Sequence, residues 1–468
     1  MLPIVTPDEM KAHDRASDVG EDVLIERAGS AVARAAIRML GGTYGRTVAV
    51  IVGPGNNGAD GRVAARHLVE RGVKVHLVRA DACPPVLPVS DLVIDAAYGT
   101  GFRGSWDAPD IGGARVLAVD IPTGVDAATG AAADGVLRAE RTVTFAALKP
   151  GLLFSPGREL AGEIEIVDIG LDLGLDALLT DGIEREPAAN LLQRSDVLEA
   201  LPLRDVVAHK WHAAVRVLAG SKTMPGAAVL AAAGAMRLGS GMVHVSSPGI
   251  DHAGSLPVEV VSRPLPPTGW GDDALRSLDR FHSVVLGPGL GRHDDTAASA
   301  RYVAIHAPLP IVIDGDGLFA LAWNAEGAAA LLRQRSSPTV LTPHDGEYQL
   351  LTGAPPSVDR IAAARRLAVH TQSVVVLKGA TTVVSDRGGD VIVVNSGDER
   401  LATAGTGDVL AGMIGALLAM RLDPFVAASV GVWIHGRAAM LGASAGFIAS
   451  DLPALIPRVL AELGGIDA

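Results

Sequence analysis

The sequence predicts an α/β protein of two domains, each built on buried, largely parallel strands. Three observations carry this reading. The chain has 468 residues, a length that suits two or three domains. Short apolar runs alternate with helical stretches, twice over, around a looser segment between about Leu171 and Ala208; runs that are apolar on both faces are typical of buried parallel strands. Aromatic residues make up only 3% while glycine reaches 55, and small side chains let helices lie close on sheets.

The elements follow in order. Thr6-Pro7-Asp8-Glu9 starts a helix: Thr6 caps, Pro7 fits the first position and Glu9 completes a capping box. A second helix is expected across Val23 to Leu40. Strands are expected at Thr47–Val52, Lys74–Val78, Leu92–Ala96, Arg115–Asp120, Arg141–Phe145 and Glu163–Ile169. Asp172, Gly174, Asp176, Asp181, Gly182 and Pro187 then interrupt the pattern, and the domains are set at residues 1–194 and 195–468. Beyond the break, strands are expected at Val215–Ala219, Met242–Ser246, Ser283–Gly287, Ile311–Asp314, Thr339–Thr342, Ser373–Lys378, Thr381–Ser385 and Val391–Asn395. Helices are expected at Gly226–Arg237, Ile361–His370, Gly407–Met420 and Pro424–Leu441.

Composition excludes some classes. A net charge of −12 argues against a broad nucleic-acid surface, though not against a local phosphate pocket. Cys83 is the single cysteine, so no intrachain disulfide forms, and it reads as an inert thiol. The N-terminus carries Asp8, Glu9 and Lys11 where a secretory signal needs an apolar core. The longest apolar run, Val409 to Met420, falls short of the roughly 20 residues that span a bilayer. A cytoplasmic protein without nucleic-acid or membrane partners is expected, assembled as a homo-oligomer.

Several motifs carry chemistry. Gly53-Pro54-Gly55-Asn56-Asn57-Gly58-Ala59-Asp60-Gly61 follows a strand and opens a helix. Glycines there let the backbone turn sharply, and the helix start offers N–H groups to an anion. It is not the GxGxxG fingerprint. Asp95 leads into Gly99-Thr100-Gly101-Phe102-Arg103-Gly104, and Asp120 into Ile121-Pro122-Thr123-Gly124. Ligands of open parallel sheets bind at such strand ends. In the second half, Ala404-Gly405-Thr406-Gly407-Asp408 opens a helix and forms an anion hole. A carboxylate at that mouth repels phosphate unless it has a task, such as taking a proton from an attacking hydroxyl. Gly287-Pro288-Gly289-Leu290-Gly291, Asp314-Gly315-Asp316-Gly317, Thr342 to Glu347, and Lys378-Gly379-Ala380-Thr381-Thr382 stand at further strand ends. His209 and His212 lack the further ligands of a metal cluster.

The first group, with Phe145-Ala146-Ala147-Leu148-Lys149-Pro150-Gly151 and Leu24 to Gly29, resembles the YjeF N-terminal domain, the NAD(P)H-hydrate epimerase family. The resemblance covers about residues 1–170 and implies a Rossmann-like three-layer domain. It implies that Asn56, Asn57, Gly58, Ala59 and Asp60, with Gly99, Thr100, Gly101, Phe102, Arg103, Gly104 and Ser105, line the hydrate site. It assigns K⁺ to Asn57, Asp95 and Thr123, makes Asp120 the acid/base residue, and gives Lys149 a supporting role. Ala59 stands where the family usually has a second glycine, and the segments Val78–Asp91 and Gly104–Arg115 are short for the family.

The second group resembles the YjeF C-terminal domain, the NAD(P)H-hydrate dehydratase family, with its ribokinase-like α/β fold. This match covers about residues 205–465. It implies a hydrate site of Ala227, Gly289, His344 and Asp408. It implies an adenine-nucleotide site of Lys378, Gly379, Ala380, Thr381, Thr382 and Gly407. Asp345 replaces a family proline, and Trp211 a family glycine. The implied reaction uses Mg²⁺ with ADP or ATP. Asp408 deprotonates the C6 hydroxyl of S-NADHX or S-NADPHX, the hydroxyl is phosphorylated, and phosphate leaves. The first half interconverts R and S hydrates. Two other readings stay open here: a small-molecule kinase of the ribokinase superfamily, and a first half without catalysis.

Overall fold

A computed structural model describes residues 1–102, 104, 106–173, 188–202, 207–251, 255–322 and 327–464. Residues 174–187, which include most of the interrupting residues named above, lie outside the described residues. The chain divides into two compact units, Leu2–Asn190 and Leu191–Ala468.

In the first unit a parallel sheet runs, edge to edge, through Lys74–Arg79, Thr47–Val52, Leu92–Ala96, Arg115–Val119, Arg141–Phe145 and Glu163–Val167. Thr47–Val52 comes first in the chain and is flanked on both sides by later strands. The loops after it and after Leu92–Ala96 therefore part company, which is the topological switch point where ligands enter. One face carries the helices Glu21–Leu40 and Asn56–Glu70, with Ala28, Val32, Ala36, Ala64 and Leu68 against Val48, Val50 and Ile94. The third layer is not helical. Ala49, Ile51, Val93, Val116 and Ala118 pack against Ala80, Leu87, Trp106 and Leu137, which sit in one 3₁₀ turn and in coil. The short segments noted in the sequence are these.

Alternation of side chains across a strand accounts for both faces, since neighbours point opposite ways. Ala59, the replacement for glycine, lies inside the helix Asn56–Glu70 and its N–H bonds the Gly55 carbonyl at 3.0 Å. Its backbone is not left-handed, so alanine carries no penalty there. Gly58 is the strict position, because a Cβ on it would stand 2.0 Å from the Gly53 carbonyl oxygen.

The second unit's sheet runs through Val391–Val394, Thr382–Ser385, Val374–Leu377, Thr339–Leu341, Ile311–Ile313, Ser283–Leu286, Ala214–Leu218, Met242–Ser246 and Val261–Ser262. From Val374–Leu377 onward all neighbours are parallel, and the first two strands pair antiparallel. Its switch point lies between Ala214–Leu218 and Ser283–Leu286, where the Gly220 N–H bonds the Pro288 carbonyl at 2.7 Å. The expected helices are present, with Pro225–Arg237, Arg360–Thr371 and Thr406–Ala419 each starting one residue earlier. Helices Asp294–His306, Asp345–Thr352 and Leu452–Leu463 were not among the expectations.

Helix Thr406–Ala419 crosses Pro225–Arg237 through glycine. A Cβ on Gly412 would lie 1.9 Å from the Ala231 carbonyl oxygen, and one on Gly234 2.4 Å from the Val409 carbonyl oxygen. The two backbones touch, and the helix that carries Asp408 is seated by that touch. Gly412→Ala must push the helices apart and should cost about 2 kcal/mol or more, read as a lowered Tm with impaired chemistry at Asp408. Alanine at exposed Gly226, where a Cβ meets nothing within 4 Å, serves as the control and should leave Tm near that of the native chain.

Candidate functional site

In the first unit a cavity of about 680 Å³ opens at the switch point. Asn56, Asn57, Asp60, Gly99, Thr100, Gly101, Phe102 and Asp120 line it, as the sequence led one to expect, together with Tyr98 and Lys149. Gly58, Ala59 and Gly104 do not line it: Gly58 backs onto Gly53, and Ala59 belongs to the helix body. Arg103 and Ser105 lie outside the described residues.

Asp120 and Lys149 form its base. The Lys149 side chain is 2% exposed, and its Nζ donates to Asp120 Oδ1 at 2.7 Å, Thr144 Oγ1 at 2.9 Å and the Phe145 carbonyl at 2.9 Å. Thr144 Oγ1 also donates to Asp120 Oδ1 at 3.1 Å. Asp120 and Ala146 both hold left-handed backbone, with φ of 66° and 61°. Non-glycine residues rarely accept this, and such strain gathers at functional sites. Burial, reinforced by the Asp120 charge, pushes the Asp60 carboxyl up to about 8. Asp60 thus carries its proton at neutral pH and can donate.

Beneath the cavity Asp95 is fully buried. It accepts from Thr123 N at 2.9 Å and Thr123 Oγ1 at 2.6 Å, and from Ala97 N at 3.3 Å. Burial raises its pKa, and these hydrogen bonds oppose the rise. Thr123 Oγ1 also meets the Tyr98 carbonyl at 3.1 Å. The Asn57 side chain abuts Gly99, yet its Oδ1 and Nδ2 are buried without a hydrogen-bond partner.

In the second unit the parallel strand ends bring Asp314, Thr342 and Lys378 together. Asp314 Oδ1 accepts from Thr342 Oγ1 at 2.6 Å and from Lys378 Nζ at 2.9 Å. Lys378 Nζ also lies 3.5 Å from Glu347 Oε2. Burial pulls the lysine's pKa down, but Asp314 and Glu347 outweigh it and the net shift is upward. Gly407 sits beside this pair: a Cβ on it would stand 3.5 Å from Lys378 Nζ and 3.7 Å from Asp314 Oδ2. Gly405, with φ of 95°, caps helix Thr406–Ala419. The buried His435 ring meets the Thr406 carbonyl at 2.9 Å. Its pKa is forced down to about 4 by burial, so the ring is neutral and donates from Nε2.

Asp408 stands in the first turn of that helix. Burial and then the Asp314 carboxylate push its pKa up to about 7. Lys378 opposes, and Asp316 and Glu347 add to the rise. A base poised near neutral pH suits proton abstraction. Gly289, with φ of 60°, packs on Ala227, where a Cβ would come within 2.6 Å. His344 caps helix Asp345–Thr352 and its N–H meets Glu347 Oε2 at 2.9 Å. Gly379, Ala380 and Thr381 form the turn into strand Thr382–Ser385. Asp345, absent from the family pattern, pairs with Arg360 at 2.9 Å, and Arg360 donates to the Lys378 carbonyl at 2.8 Å. Trp211 packs on His244 and Phe281 under Arg280. His209 and His212 close a local turn through backbone N–H groups.

Sequence reasoning left Asp314, Glu347, Thr342, His435 and Thr144 out of the site. The first three stood in motifs already singled out, and their strand-end position was the available signal. His435 carried none.

Two α/β units, each with a ligand-type site at its strand ends and one with a base inside a glycine-rich anion hole, define a phosphoryl-handling enzyme with a second catalytic unit. A family model described as NAD(P)H-hydrate dehydratase matches residues 215–460. One described as YjeF-related protein N-terminus matches residues 21–85 and 81–151. The bifunctional NAD(P)H-hydrate repair enzyme Nnr of Mycobacterium leprae is 37% identical, covering 91% of this chain and 90% of that protein. Its namesake in Mycobacterium tuberculosis H37Rv is 38% identical, over 83% and 82%. The ADP/ATP-dependent NAD(P)H-hydrate dehydratase of Bacillus subtilis, co-crystallised with ATP/Mg²⁺, is 32% identical with a TM-score of 0.51, covering 59% of this chain and 99% of that one. The chain belongs to the family of bifunctional NAD(P)H-hydrate repair enzymes.

The raised pKa of Asp408 has a sign that can be checked. A carboxyl whose folded pKa lies above its unfolded value gives stability that is full below the unfolded value, near 3.8, and is lost as pH rises through about 7. Asp408→Asn should therefore raise Tm at pH 8, and the gain should vanish by pH 4. A Tm gain that ignores pH would contradict the assignment.

Proposed function

We propose that the second unit dehydrates S-NADHX and S-NADPHX at the expense of ADP or ATP, and that the first unit interconverts the R and S hydrates. Asp408 at the mouth of the 405–408 turn, beside Lys378, carries the reading. Asp408 takes the proton of the C6 hydroxyl. That oxygen attacks the terminal phosphorus, and the bond to the nucleotide's bridging oxygen breaks. The nitrogen lone pair of the hydrated ring then expels phosphate, restoring the C5–C6 double bond once the C5 proton is lost. Phosphorylation makes a poor leaving group a good one. The N–H groups at the helix start and the Lys378 ammonium offset charge on the phosphates. Mg²⁺, when bound with the nucleotide, would supply further positive charge to its phosphates. Ala227 and Gly289 make a wall for the hydrate, and residues 378–382 the nucleotide side.

In the first unit Asp120, held by Lys149, is the base and Asp60 the proton donor, working on reversible opening at C6. Asn57 Oδ1, Asp95, the Thr123 hydroxyl and the Tyr98 carbonyl offer oxygen ligands of the kind K⁺ takes. The unpartnered Asn57 amide supports K⁺ there, where it would supply a fixed positive charge. Epimerisation is assigned to residues 1–194 and dehydration to 195–468.

Mixed R and S hydrates of NADH, supplied with nucleotide, Mg²⁺ and K⁺, should return NADH from both epimers. Recovery of the S portion alone would remove the first unit from the reading, and no recovery would remove both. Asp408→Asn should lower dehydration by about a hundredfold or more while nucleotide binding persists. In the native chain the rate should climb as pH rises through about 7, where Asp408 ionises. Lys149→Met strips Asp120 of its cation; it should stop epimerisation and spare S-hydrate dehydration.

A further inference from the structure

Asp14 belongs to none of the motifs above, yet it lines the first unit's cavity. It stands on helix Pro7–Ala16, whose start is fixed by the Thr6–Glu9 capping box. Met10, one turn earlier, is buried and lines the same cavity. Residues four apart share a helix face, so the seating of Met10 aims Asp14 into the cavity. Among the described residues no hydrogen bond or ion pair ties down the Asp14 carboxylate. Burial weakens its acidity; Lys149 opposes that rise and Asp120 adds to it, followed by His13 opposing and Glu21 adding. The carboxylate is therefore within electrostatic reach of the Asp120–Lys149 pair. It caps no helix and pairs with no cation, so the fold itself gives it no work. Asp14 is exposed at the cavity's edge, where water solvates its carboxylate, and a ligand seated in the cavity meets it there with hydroxyl donors in place of that water.

We propose that Asp14 binds the vicinal hydroxyls of the nicotinamide ribose in the epimerase site. The inference rests on the epimerase reading above. Gly55, Asn56 and Asn57 on one wall open a helix N-terminus, which takes phosphate. Asp120 and Lys149 mark the reacting ring. In a dinucleotide the ribose lies between ring and phosphate. A carboxylate repels the phosphates but recognises ribose hydroxyls. Its reach to Asp120 and Lys149 selects the ribose on the nicotinamide side rather than the adenosine side.

The test uses the full chain without nucleotide, so that only epimerisation runs, and follows R-to-S conversion by chromatography. Asp14→Ala should raise KM for the hydrate about tenfold or more, the cost of a lost charged hydrogen bond, with kcat within about threefold of native. Asp14→Asn should shift KM the same way by less. Dehydration of S hydrate, with nucleotide restored, should match the native chain and reports on folding. A hydrate whose nicotinamide ribose lacks the 2′-hydroxyl should show the raised KM in the native chain, while Asp14→Ala should treat both substrates alike. The proposal falls if Asp14→Ala keeps the native KM, if kcat alone drops, or if the deoxy substrate suffers equally in both chains. If Asp14→Ala does not fold, the native chain decides: equal KM for the two substrates overturns the proposal. A native chain that epimerises nothing takes the underlying reading down as well, a result distinct from native epimerisation with an indifferent Asp14.

Discussion

Parallel strands deliver their carboxyl ends to one edge of a sheet, and in this protein those ends carry acids that are largely withdrawn from water. Asp120 in one unit and Asp314 in the other need hydrogen-bond donors there. Lysine supplies the answer in both units. Lys149 reaches Asp120, and Lys378 reaches Asp314, each within hydrogen-bond distance. Each lysine then organises its neighbours: Thr144 and the Phe145 carbonyl gather on one, Glu347 and the Gly407 backbone on the other. Asp60 and Asp408 lack such a lysine bond, and burial carries their pKa values up to about 8 and about 7.

Much of this was legible in the residues. Buried strands announce themselves by short apolar runs, and every strand expected from such a run appears in the sheets. Leu2–Ile4, Ala189–Leu191 and Val261–Ser262 left no such signal, being short and without the purely apolar run that marks Ile311–Ile313. The glycine-rich turns were readable because glycine at a strand-to-helix junction has few other uses. Helices Asp294–His306 and Asp345–Thr352 were missed because their apolar residues are mostly alanines or few, and periodicity needs contrast.

Side-chain pairing was less legible. Nothing in the sequence joins Lys149 to Asp120, 29 residues away, or Arg360 to Asp345. Such pairs are products of the sheet, not of spacing. Ala59 departs from the family motif, but the backbone there is helical and the steric limit falls one residue earlier, at Gly58. The coil layer over Ala49, Ile51 and Val93 matches the two segments that looked short. A chain can shed helices from one side of a sheet and still keep that side dry with a tryptophan and a few aliphatic residues.

The seam between helices Thr406–Ala419 and Pro225–Arg237 is made of main chain rather than side chain. Interdigitated side chains can yield by changing rotamer, one at a time. A carbonyl oxygen against a glycine Cα has no such freedom. Asp408 therefore rides on a pair of helices locked backbone to backbone, so a displacement of one helix is passed directly to the other.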